Sequence, residues 1–114
     1  MAGHDRRAHY RLTFYCEAQI EGLDLKRSSC RIADIGVGGA FVEASTVLPV
    51  GARTSVRFAL LGHEITTAAE VRYSTPGIGM GLRFVNLSEL GEVVIRTLIA
   101  TEAAERRKRE RNGG

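Results

Sequence analysis

The sequence is poor in residues that hold metals or staple small folds: its 114 residues include two cysteines and three histidines. Cys16 and Cys30 form no CxxC pair, and His4, His9 and His63 form no HxxxH pair, so the spacings of a zinc site are missing and no metal or cofactor is expected. So little cysteine points to free thiols in a reducing compartment, which makes the cytoplasm the expected location. Long apolar runs are missing too. Stretches such as Val93-Val94-Ile95 and Phe58-Ala59-Leu60-Leu61 fall far short of the roughly 20 residues that cross a bilayer, and the start lacks the apolar core of a secretory signal.

Catalytic patterns are equally scarce. No Ser/His/Asp or Cys/His set emerges from the spacing, and Glu17, Glu21, Glu70, Glu89 and Glu92 are scattered over outward positions instead of facing one another as an acid/base pair. The run Gly36-Val37-Gly38-Gly39 lacks the Lys-Ser/Thr that completes a phosphate-gripping loop, and reads as a tight turn with positive φ values. The protein is therefore not expected to be an enzyme.

What is present is an ordinary globular composition, 44% hydrophobic and 25% charged, in a length suited to one domain. The net charge is +3, and the cluster Arg106, Arg107, Lys108, Arg109 and Arg111, offset by Glu105 and Glu110, accounts for all of it. The remaining body is formally neutral, so direct nucleic-acid binding is not expected.

Apolar residues alternate with polar ones from Leu12 to Glu21, from Ser28 to Ala33 and from Ala40 to Glu43. The same period returns at Val56, Phe58 and Leu60, then at Ile65, Thr67, Ala69, Val71 and Tyr73, and finally at Ile78, Met80, Leu82 and Phe84. After Phe84 the period lengthens: Leu87, Leu90, Val94 and Leu98 recur at helical spacing, with Asn86 or Ser88 available as N-cap. Six short strands with Gly/Pro turns and one terminal helix predict a mainly β fold, a closed or nearly closed six-stranded antiparallel barrel with the helix at one end. The expected division is an N-terminal arm over 1–11, a barrel with its helix over 12–100, and a basic helical extension or frayed tail over 101–114.

Two clusters remain. Arg6-Arg7-x-x-x-Arg11 precedes the first strand, and Asp34-Ile35-Gly36-Val37-Gly38-Gly39 joins the second to the third. Guanidinium forks grip phosphate and stack on bases, while an aspartate accepts hydrogen bonds from the N1 and exocyclic amine of guanine, so the pair suits a guanine nucleotide.

Taken with the strand Gly77-Ile78-Gly79-Met80-Gly81-Leu82-Arg83-Phe84, these clusters resemble a PilZ domain over about residues 5 to 100. The resemblance implies a six-stranded barrel with a C-terminal helix and, as ligand, the bacterial second messenger cyclic di-GMP. Arg7 and Arg11 match the RxxxR motif, and Arg6 the arginine often found before it. Asp34 and Gly39 match the ends of the (D/N)xSxxG motif, where Asp34 would read a guanine edge and Gly39 would allow close backbone approach. Gly36 stands where the family usually has serine. Loss of one ordinary hydrogen bond costs about 0.5–1.5 kcal/mol, about 2- to 13-fold in affinity, so the departure implies weakening rather than abolition.

The resemblance further implies a switch: ligand drawing the arm 1–11 onto the Asp34 to Gly39 turn, and a protein partner, not identified by the sequence, reading the new surface in trans. The alternative is a PilZ-like interaction module that has lost nucleotide binding through Gly36.

Overall fold

The computed structural model describes residues 11–22, 24 and 26–113. Six strands appear in chain order: β1 (Leu12–Glu21), β2 (Arg27–Ile35), β3 (Gly39–Glu43), β4 (Arg53–Leu60), β5 (His63–Thr75) and β6 (Gly79–Val85). A single helix among the described residues, α1 (Glu89–Gly113), follows them.

All strand pairs are antiparallel, and the order β1-β2-β3-β6-β5-β4 closes on itself through Ala18 opposite Phe58 and Ile20 opposite Val56. The alternation explains the interior: Leu12, Ala18, Ile20, Ile32, Val42, Val56, Phe58, Ile65, Val71, Met80 and Leu82 are all buried inside. Two buried threonines are satisfied, Thr54 Oγ1 donating to the Glu21 carbonyl at 2.6 Å and Thr67 Oγ1 to the Ala68 carbonyl at 3.2 Å. A buried hydroxyl without such a partner would cost stability.

The helix begins at a serine cap, where Ser88 Oγ accepts the Gly91 N–H at 3.0 Å. Val94, Ile95 and Leu98 are its buried face, with Ile95 fully enclosed. Leu90, expected in that stripe, is 51% exposed. Gly91 is buried instead, close against the Leu87 side chain, so the buried face runs through Gly91, Val94, Ile95 and Leu98. From Ala104 to Arg111 the helix is exposed on all sides. Among the described residues, no helix is long and apolar enough to cross a membrane.

Three more expectations need correction. Ser28 is exposed, because β2 reaches the core only from Cys30 onward. Ile78, placed with Met80 by period, is 59% exposed, since it belongs to the turn that Ile78 N–H closes on the Thr75 carbonyl. The positive-φ glycines among the described residues are Gly51, Gly62 and Gly77, so the Gly36 to Gly39 turn does without left-handed backbone.

Candidate functional site

Two β-bulges decide what the barrel shows on its outer face. In β2, Ile32 pairs with Val42 and Asp34 with Phe41, leaving Ala33 as the extra residue. In β5, Val71 pairs with Leu82 and Tyr73 with Gly81, leaving Arg72 extra. Each extra residue reverses the parity beyond it. Strict alternation would send Asp34 inward after Cys30 and Ile32. The bulge instead buries Ile35 and leaves Asp34 half-buried at the outer face. Tyr73 likewise leaves the inward set where alternation puts it and is 52% exposed. The strand pairings then align Asp34, Phe41, Gly81 and Tyr73 as one row across β2, β3, β6 and β5.

Arg11 meets this row at its first member. Leu12 pairs with Ile35 and Thr13 with Asp34, so the residue just before β1 lies beside the start of the β2–β3 turn. Arg11 Nε donates to Asp34 Oδ1 at 2.8 Å, and Nη2 donates to the same oxygen. Both side chains stay substantially open to solvent, at 41% and 34%.

The turn after Asp34 is fastened at two points. Gly36 N–H donates to the Gly39 carbonyl at 2.9 Å, and the Gly38 carbonyl accepts Phe84 N–H at 2.9 Å. Gly39 has no room for a side chain, because a β-carbon there would lie 2.0 Å from the Leu82 carbonyl oxygen. Its lack of a side chain is thus required by the β3–β6 pairing itself.

Beside Arg11 opens a cleft of about 400 Å³, lined among others by Gly38, Gly39, Arg72, Tyr73, Gly81 and Arg83. Arg83 Nη2 donates to Glu70 Oε1 at 3.0 Å, and Arg72 lies 3.8 Å from the same oxygen. The hydrogen bond from Arg83 is the main cause that holds the Glu70 carboxyl below its ordinary value, so the arginines flank an ionised carboxylate. The rings of Phe41 and Tyr73 stack with centroids 6.1 Å apart and planes 21° apart. Gly81 makes this possible by leaving its outward side empty for the Tyr73 ring.

Of the residues singled out from the sequence, Arg11 and Asp34 touch, and Gly39 lines the cleft while Gly36 does not. Arg6 and Arg7 lie outside the described residues. Tyr73, Arg72 and Arg83 were not anticipated. The one signal for them is the Gly79-x-Gly81 spacing, which leaves two bare outward positions in a strand and invites an aromatic from a neighbour to cover them.

The barrel is similar to several solved structures. Escherichia coli YcgR in complex with c-di-GMP matches with a TM-score of 0.74 at 20% identity, over 96% of this chain and 51% of that one. The Bacillus subtilis inhibitor of motility MotI/DgrA matches with a TM-score of 0.74 at 18% identity, over 89% of this chain and 53% of that one. The isolated PilZ domain of E. coli YcgR with c-di-GMP matches at 20% identity and a TM-score of 0.67, over 95% and 98%. This chain therefore spans about half the length of the first two proteins, and at such identities the likeness is one of fold. No curated protein sequence matches. The family model of the PilZ domain matches residues 5–101, which is most of the chain: the protein belongs to the PilZ domain family.

Proposed function

We propose that this protein is a receptor for cyclic di-GMP that relays the signal to a protein partner in trans. The observation that carries the reading is the Arg11–Asp34 pair, whose arginine lines the cleft. A phosphate and a guanine edge offer these two side chains the same chemistry they now offer each other. A ligand phosphate replaces the carboxylate on Arg11, and the N1–H and exocyclic amine of guanine replace the guanidinium on Asp34. Each broken charge-assisted bond is exchanged for another, and the pair's exposure keeps the cost of opening it low.

Arg6 and Arg7 join Arg11 on the phosphates in this reading, with Gly36 and Gly39 bordering the guanine held at Asp34. The turn is already fastened by the Gly38–Phe84 bond, which lowers the ordering cost on binding. The same ligand is named with the similar E. coli YcgR structures and with the PlzA protein of Borreliella burgdorferi, which supports its choice here. Residues 1–11 act as the ligand-responsive arm, 12–100 as the rigid body and 101–114 as a solvated basic extension.

The test is calorimetric titration of the protein with cyclic di-GMP, with Arg7→Ala, Asp34→Ala and GTP as controls. Saturable binding lost in both variants, together with slower amide exchange in the arm when ligand is bound, is the expected result. No heat and no thermal shift at high ligand would overturn the reading and leave an interaction module that lacks nucleotide binding. Binding without a change in arm exchange would retain the receptor and remove the arm from the relay.

A further inference from the structure

We infer that the outward side of helix α1 seats the protein on an anionic lipid bilayer, with Leu90 and Val93 entering the headgroup layer and the arginine-rich end lying along the lipid phosphates. Leu90, Val93, Thr97, Ala100, Ala104 and Arg107 follow one another at steps of three and four residues, which sets them in one stripe along the helix, and all six are exposed. The stripe shares no residue with the cleft and needs no nucleotide. The buried face, Gly91, Val94, Ile95 and Leu98, lies on the far side of the helix, so the barrel stands behind the stripe.

The stripe changes chemistry along its length. Leu90 and Val93 are large apolar side chains left more than half exposed, Ala100 and Ala104 are small enough for the helix to lie close to a surface, and Arg107 leads to Arg111 one turn later. Arg106, Lys108 and Arg109 surround that end, while Glu102 and Glu105 follow Ile95 and Leu98 by seven residues and so continue the barrel side. Glu110 borders Arg107 and Arg111, and the basic end keeps its excess of positive charge. Of the acids at the apolar end, Glu92 is held by Arg96 at 2.8 Å and Glu89 precedes the stripe. Clusters of about four to eight basic residues on a helix are drawn to anionic lipid, each strengthening binding about fivefold. Charge alone holds a helix loosely, and the exposed apolar pair supplies the second signal that a peripheral attachment requires. A straight stripe about 30 Å long meets a flat surface at both ends at once, whereas a nucleic-acid backbone takes the cations and leaves Leu90 and Val93 in water.

Flotation of the full chain, without nucleotide, with vesicles of phosphatidylcholine and phosphatidylglycerol in equal parts tests the assignment. The protein should float with these vesicles, stay behind with phosphatidylcholine alone, and be largely released at high salt. Arg107→Gln combined with Arg111→Gln should weaken binding about 25-fold, and Leu90→Ser combined with Val93→Ser about tenfold or more. The chain contains no tryptophan, so Val93→Trp introduces a single indole, whose emission should shift to the blue on the mixed vesicles only. Thermal melts of the variants confirm folding. A parent protein that stays unbound, or a Leu90/Val93 double variant that binds as the parent does, would overturn the seat. Retention on duplex DNA with none on vesicles would do the same and give the basic end to another partner. Each of these outcomes leaves the receptor reading as it was.

Discussion

The Tyr73 ring occupies the space that a side chain at Gly81 would need: a β-carbon there would lie 2.2 Å from Tyr73 Cε1. The conflicting atoms are the outer edge of a half-exposed ring, so the ring yields rather than the strand. Gly81→Ala should cost no more than about 1 kcal/mol while breaking the Phe41–Tyr73 stack. Gly39→Ala meets the Leu82 carbonyl oxygen at 2.0 Å, a fixed backbone atom in a paired strand, and should cost about 3 kcal/mol. Urea denaturation of the two variants measures the contrast. A Gly39 variant that loses ligand has therefore also lost stability, and is a poor probe of binding.

The Arg11–Asp34 pair should behave in the opposite way. Both groups are well exposed, and such pairs contribute about 0.2–1 kcal/mol. Arg11→Ala and Asp34→Ala should therefore unfold in urea within about 1 kcal/mol of the parent. Any loss of ligand binding in them then reports on contacts and not on folding.

Helix α1 can be tested on its two faces. Ile95→Ala empties a fully enclosed site between helix and barrel and should cost about 2–5 kcal/mol. Leu90→Ala, on the exposed face, should change stability by about 0.5 kcal/mol or less. Equal losses in chemical denaturation would mean that the helix is rotated from the orientation described.

Cys30 should be silent to thiol reagents at pH 8. Burial is the main cause that pushes its thiol from 9.0 up to about 11, with smaller contributions from Cys16 and Glu17. A raised value in the folded state means that the unfolded chain gives up the proton first. This contribution to stability is therefore fully present below about pH 9 and is lost as the pH climbs toward 11. Reaction with a chromogenic disulfide before and after unfolding, and melts across that pH range, check both statements.

The alternation made the barrel legible because each strand's period is a property of its own residues. Leu12, Ala18 and Ile20 announce a core face without knowledge of their neighbours. A bulge is different, since Ala33 and Arg72 are surplus only relative to the partner strand across from them. Asp34 was singled out by its motif, but its outward direction follows from the pairing of β2 with β3. Tyr73 had no motif, and its apolar parity pointed into the core. Leu90 misled for a similar reason: helical spacing fits it as well as Gly91, and which of the two turns inward depends on how the helix is set against the barrel. The helix past Ala100 contains no large apolar residue, so its length depends on local preferences that the core pattern does not encode.

The ring of strands also limits how any partner can recognise this domain. β4 meets β1 through Ala18, Gln19 and Ile20 opposite Phe58, Arg57 and Val56, so the seam closes the ring at its middle and leaves only short stretches of strand edge without a partner strand. A partner finds no strand with a full-length open edge on which to add its own, the route by which many sheets capture extended peptides. Recognition is then written mainly in side chains. A substitution on the outer face changes what is recognised, whereas the barrel's own hydrogen-bond ladder stays indifferent to who is bound.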